Sequence, residues 1–92
     1  MASQLSVQEV ETFRTLQRSR VKWLSSREVH ALTPNTADRT VRAVLTKLTQ
    51  RGVLDYVEVY PGRRYRLAES AEHDHADYFA LIAQAAAALS TD

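Results

Sequence analysis

The sequence predicts a small α+β domain, mostly helical, in which a three-helix core carries a two-stranded hairpin and a further helix follows at the C-terminus. Three observations predict it. Val41, Val44, Leu45 and Leu48 recur at i, i+3, i+4 and i+7, a single buried stripe on one helix. The β-branched and aromatic run 53–60 is separated by Pro61-Gly62 from an alternating run, Arg63-Arg64-Tyr65-Arg66-Leu67, which is a hairpin pattern. From Tyr78 to Thr91 there is no charge, and Tyr78, Leu81, Ile82, Ala85, Ala86 and Leu89 form a long apolar seam.

The elements follow in order. Ser6 and Glu9 have capping-box spacing, and Leu5 and Val10 can staple across them. Val7, Val10, Phe13 and Leu16 then mark a helix over about 7–17. The stretch 21–24, with Val21 and Trp23, reads as a brief strand, with Trp23 in the core beneath the hairpin. Ser25 or Ser26 caps a second helix, Ser25 completing a box with Glu28, and Val29 and Leu32 face inward. Thr33-Pro34-Asn35 ends it, because the residue before a proline avoids helical geometry. Asn35 or Thr36 is expected to cap the third helix, and Gly52 to close it in a left-handed conformation beyond Arg51. Pro61-Gly62 fits the centre of a type II turn. The last helix is expected over about 74–89, with Glu72, Asp74 and Asp77 favouring its N-terminal end.

Ninety-two residues make one domain, read as a body over 1–69 and a terminal helix over 70–92. No apolar window is long enough to span a membrane, and residues 1–5 do not read as a signal peptide. The absence of cysteine excludes a disulfide scaffold and thiolate zinc fingers, and it suits a reducing cytoplasm. Only Gly52 and Gly62 are present, so there is no phosphate-cradling glycine loop, and no serine sits in a nucleophile elbow. A core this small leaves little room for a deep pocket, and no enzymatic activity or cofactor is expected. The net charge of +1 hides a segregation: all twelve Lys and Arg lie in residues 1–66 beside six acids, giving +6, while 67–92 carry five acids and no Lys or Arg, giving −5. A basic body with an acidic tail suggests a polyanion-binding part beside a part with another task.

The stretch Leu24-Ser25-Ser26-Arg27-Glu28-Val29, the helix 36–48 and its exit Gln50-Arg51-Gly52-Val53-Leu54 together resemble the winged helix-turn-helix fold of small bacterial regulators of the MarR and ArsR type. The resemblance covers about residues 5–67, and Pro34 stands in the helix 2–helix 3 turn where many relatives have glycine. It implies a recognition helix over about 36–51 in the major groove of double-stranded DNA and a wing over 60–64 on the flanking groove or backbone. The side of that helix opposite the stripe carries Arg39, Ala43, Thr46 and Gln50, flanked by Thr36, Thr40, Arg42 and Lys47. These are donors and small residues suited to phosphates and base edges. Arg39 is the expected base reader, with Thr36, Ala43 and Thr46 near bases and Arg42 and Lys47 on phosphates. Arg27 and the amide end of its helix are expected on a phosphate, and Arg63 and Arg64 at the wing. A seam as apolar as that of the last helix exceeds what one small domain covers, so Tyr78, Leu81, Ile82, Ala85, Ala86 and Leu89 are expected to form a homodimer interface.

The whole reads as a cytoplasmic, homodimeric transcriptional regulator that binds specific duplex DNA. One alternative is a winged-helix protein-interaction or assembly module, as in replication or partition machinery. Another is a metal-responsive repressor using His73 and His75. The cluster Glu72-His73-Asp74-His75-Ala76-Asp77 has metal-ligand types and its placement after the hairpin resembles the His-Asp-His run of ferric-uptake-regulator proteins. That family carries a further dimerisation domain and usually cysteines, and no second His follows His75, so the cluster reads as a polar helix start and no metal is expected.

Overall fold

Capping and apolar periodicity set the elements. The computed structural model, which describes residues 5–19 and 22–90, has helix α1 (Val7–Arg18), strand β1 (Leu24–Ser25) and helices α2 (Ser26–Ala31) and α3 (Asp38–Gln50). Strands β2 (Leu54–Val59) and β3 (Gly62–Leu67), a short helix α4 (Ala71–Asp74) and helix α5 (Ala76–Ser90) follow. Residues 1–4 of the stretch not read as a signal peptide, Val21 in the expected first strand, and Thr91 at the end of the uncharged stretch lie outside the described residues.

The Ser6 hydroxyl accepts the Glu9 amide at the start of α1. The Glu9 carboxylate does not return to complete the box; it points inward to α3 and α5. The second box forms in full, with Ser25 Oγ accepting from the Glu28 amide and Glu28 Oε1 from the Ser25 amide. Helix α3 starts later than expected. Its N-cap is Ala37, without a side-chain cap, because the Thr36 hydroxyl reaches instead to Glu11 Oε1 on α1 at 3.4 Å. At its other end Gly52 has φ 81°, its amide bonds the Thr49 carbonyl and the Val53 amide bonds the Leu48 carbonyl, which is a Schellman motif.

The sheet has three strands in the order β1-β3-β2, all antiparallel, so the hairpin is joined by the two-residue β1 through Leu24↔Tyr65 and Ser25↔Arg64. The wing turn differs from expectation. Val59 pairs with Gly62, so the central pair is Tyr60-Pro61, joined by a cis peptide bond, and Gly62 does not take the positive φ that a type II turn requires.

The core joins every layer. Val10, Phe13 and Leu16 of α1 meet Val29 of α2, the α3 stripe, Val53, Leu54 and Leu67 of the hairpin root, and Ala71, Tyr78 and Ile82 from beyond it. The Phe13 ring, fully buried, stands edge-on to both Tyr78 and Phe79 with centroids 5.1 Å away in each case. The expected single C-terminal helix is two, broken at His75, which leaves helical geometry. Two of the six seam residues assigned to a dimer, Tyr78 and Ile82, are used inside the domain instead, because α5 lies on α1 and the Phe13 ring fills the space between them.

Candidate nucleic-acid interface

The burial stripe of α3 fixes its outward side. Val41, Val44, Leu45 and Leu48 point into the core, so Arg39, Ala43, Thr46 and Gln50 emerge together on the opposite side, all exposed. Arg42 is exposed beside them, and Thr40 and Lys47 are half-buried at the flank. Thr36 does not join them. It is 2% exposed, and its bond to Glu11 turns the hydroxyl away from any ligand on this face. The expectation of Thr36 near a base is therefore corrected.

The charges on this surface are mostly paired. Arg42 lies 2.7 Å from Asp38, one turn earlier on α3. Lys47 lies 2.9 Å from Glu9. On the wing, Arg63 is 3.5 Å from Glu58, directly across the hairpin, and 4.2 Å from the centre of the Tyr56 ring. Arg64 is 3.9 Å from Glu28, because Ser25↔Arg64 pairing brings the third strand against the start of α2. Among the described residues, Arg39 and Arg27 have neither an ion pair nor a hydrogen bond through their side chains. The exposed pairs of Arg42, Arg63 and Arg64 contribute about 0–1 kcal/mol each, so a phosphate can displace their carboxylates.

The expected phosphate grip at the start of α2 is altered by its own cap. The Ser25 and Glu28 side chains already answer two backbone amides there, and the Glu28 carboxylate brings a negative charge to that end. The bond from the Ser25 amide, helped by the Ser25 hydroxyl and by the charges of Arg64 and Lys22, holds the Glu28 carboxyl below its ordinary range and therefore ionised. Arg27 itself is exposed one residue away. Trp23, expected in the core, is half-buried and covered by the Arg66 guanidinium 4.3 Å from its ring centre.

Sequence reasoning missed the four acids that answer these cations: Glu9, Glu28, Asp38 and Glu58. Glu9 had a signal of its own. It is in helical phase with Phe13 and Leu16, so an acid stands on the buried side of α1. The structure leaves the seam residues divided: Leu81 and Leu89 are 39% and 49% exposed, and Ala85 and Ala86 half-buried. No group of three or more His, Asp or Glu among the described residues is placed to hold a metal ion, His73 and His75 included. No helix of the described residues is long and apolar enough to cross a membrane.

Three helices packed around one core, a three-stranded sheet and an exposed hairpin in this order define the winged helix-turn-helix fold. No protein-family model matches the sequence, and neither does any curated protein. Solved structures do. The ferric uptake regulator from Francisella tularensis, with iron, superposes with a TM-score of 0.66 at 20% identity, over 75% of this chain and 56% of its own. The ST1889 protein from the archaeon Sulfolobus tokodaii gives 0.67 at 16% identity, over 95% of this chain and 85% of its own. A MarR family protein from Bacillus stearothermophilus gives 0.58 at 15% identity, over 95% of this chain and 60% of its own. The chain thus spans less than two thirds of the Francisella and Bacillus chains, and these likenesses carry the fold.

Proposed function

We propose that this protein binds double-stranded DNA in a sequence-dependent way, as a cytoplasmic homodimeric transcriptional regulator without enzymatic activity. The observation that carries the reading is the outward row Arg39, Ala43, Thr46 and Gln50 on α3. An unpaired guanidinium among small and hydrogen-bonding side chains suits the edge of a guanine and close approach to a duplex. Arg42 and Arg27 contact phosphates, and Arg63 and Arg64 reach the flanking groove or backbone from the wing. The remaining seam residues of α5, the exposed Leu81 and Leu89 with the half-buried Ala85 and Ala86 beside them, form the contact between two copies.

The test is selection from a randomised duplex library at two salt concentrations, with Arg39→Ala beside the wild type. An enriched palindrome that the wild type binds and the variant loses is the expected result. Weak binding that ignores sequence at both salts would remove the regulator reading.

The wing supports a second reading. Tyr60 is 97% exposed at its tip, and Tyr56, Val57 and Val59 are exposed along β2. Such a surface suits a protein partner, so the second reading is an assembly module that docks through the wing. It predicts that Tyr60→Ser leaves duplex binding unchanged and abolishes capture of that partner.

A further inference from the structure

The ion pair of Lys47 is unlike the others on this surface. Its ammonium sits 2.9 Å from Glu9 Oε1, and the Glu9 side chain is only 7% exposed. The other carboxylate oxygen, Oε2, accepts the Tyr78 hydroxyl at 2.6 Å. Glu9 belongs to α1, Lys47 to α3 and Tyr78 to α5, so one buried carboxylate joins three helices. A carboxylate removed from water requires donors and a counter-charge, and here it has one of each. Taking Lys47 away leaves a buried charge with a single neutral donor. The pairs of Arg42, Arg63 and Arg64 have both members in solvent and lose little by exchanging a carboxylate for a phosphate.

We propose that Glu9 withholds Lys47 from DNA, making Lys47 a positioning residue that ties α3 to α1 and, through Tyr78, to α5. The inference rests on the DNA-binding reading of α3 and removes one cation from its expected contacts. The electrostatic grip of α3 then comes from Arg39 and Arg42. The placement of the recognition helix is shared with the helix that carries the dimer contact, because both bond the same carboxylate.

The chain contains two lysines, Lys22 and Lys47, so one serves as the internal reference for the other. Amine acylation of the full chain, read by mass spectrometry, tests the latch without DNA. Lys47 is expected to react about tenfold more slowly than the exposed Lys22, as befits a charged hydrogen bond. Glu9→Gln is expected to bring Lys47 level with Lys22, and Tyr78→Phe to leave the ratio as in the wild type. In duplex binding, Lys47→Met leaves the slope of log affinity against log salt unchanged, whereas Glu9→Gln steepens it by about 0.9, one new phosphate contact. Equal reactivity of both lysines in the wild type overturns the proposal, whatever the variants do. A slope that falls by about 0.9 in Lys47→Met also overturns it while leaving the DNA reading intact. A wild type that binds no duplex overturns the DNA reading and, with it, the withholding, even where the lysine ratio holds.

Discussion

Helices α3 and α5 are both regular and similar in length, yet they end up in opposite situations. Helix α3 is two-sided. The four residues of its apolar stripe are fully used by the core, and its outward side is polar, small and cationic. Helix α5 is apolar nearly all round, and α1 takes only part of it, chiefly Tyr78, Ile82 and half of Phe79. The first helix is therefore complete within one chain, and what it offers outward suits a charged, hydrogen-bonding ligand. The second leaves Leu81 and Leu89 in water, and an apolar surface is what would relieve them. A helix's own sequence says how much of it is apolar; only its neighbours say how much of that is still unmet.

The contrast can be broken most forcefully at Phe13. This ring anchors α5 through Tyr78 and Phe79, and Phe13→Ala should cost about 4 kcal/mol of stability, read by denaturant unfolding. The outer side of α5 is tested by Leu81→Asp with Leu89→Asp, which should weaken self-association about a hundredfold in sedimentation while leaving the fold intact. On α3, Arg39→Ala should cost about 2 kcal/mol of duplex affinity and relax preference at one base pair, with no change in unfolding. A fall in stability instead would show that Arg39 serves the fold and would erase the contrast.

Smaller effects sharpen it. Ser25→Ala removes the cap that aligns α2 with the wing and should cost about 1 kcal/mol. The same cap gives a pH signature. The folded Glu28 carboxyl titrates below its unfolded value, chiefly because it accepts the Ser25 amide. Its stabilisation is therefore present above the ordinary carboxylate range and lost as pH falls through the lower folded value. Glu28→Gln should flatten that part of a stability–pH curve, lowering stability near neutrality, where the ionised carboxylate contributes, and leaving it unchanged at pH below the folded value.

How much of this was legible in the sequence depended on whether a residue's partner was near in the chain. The α3 stripe, the Ser25–Glu28 box and the left-handed Gly52 depend on neighbours within a few positions, and each formed as the spacing predicts. Thr36 looked like a cap by local rules, but its partner, Glu11, lies 25 residues earlier, and the helix began beyond it. Glu9 looked like half of a capping box, but its partners lie 38 and 69 residues later. The seam of α5 was legible as apolar, whereas the division between Tyr78 and Ile82 inward and Leu81 and Leu89 outward required the position of the Phe13 ring. The wing was legible as a hairpin, but the register Val59↔Gly62 moved its turn back by one residue. The outward side of α3 was legible as a direction, and its cations as candidates; the carboxylates beside them were not, since three of the four come from other elements.

The close of α3 carries a consequence for the proposed DNA-binding reading. Between Gln50 and Leu54 there are three residues, and none is slack. Gly52 and Val53 bond back to the end of the helix, while the Val53 carbonyl accepts the Ala68 amide at the foot of the returning strand. The helix and the hairpin thus share one hydrogen-bonded joint, which opposes sliding of one relative to the other. On the proposed DNA-binding reading, together they would act as a caliper: a duplex touched by both would be gauged by the separation of its grooves as well as by its bases. A residue inserted at this joint would change the gauge while leaving every contact side chain in place.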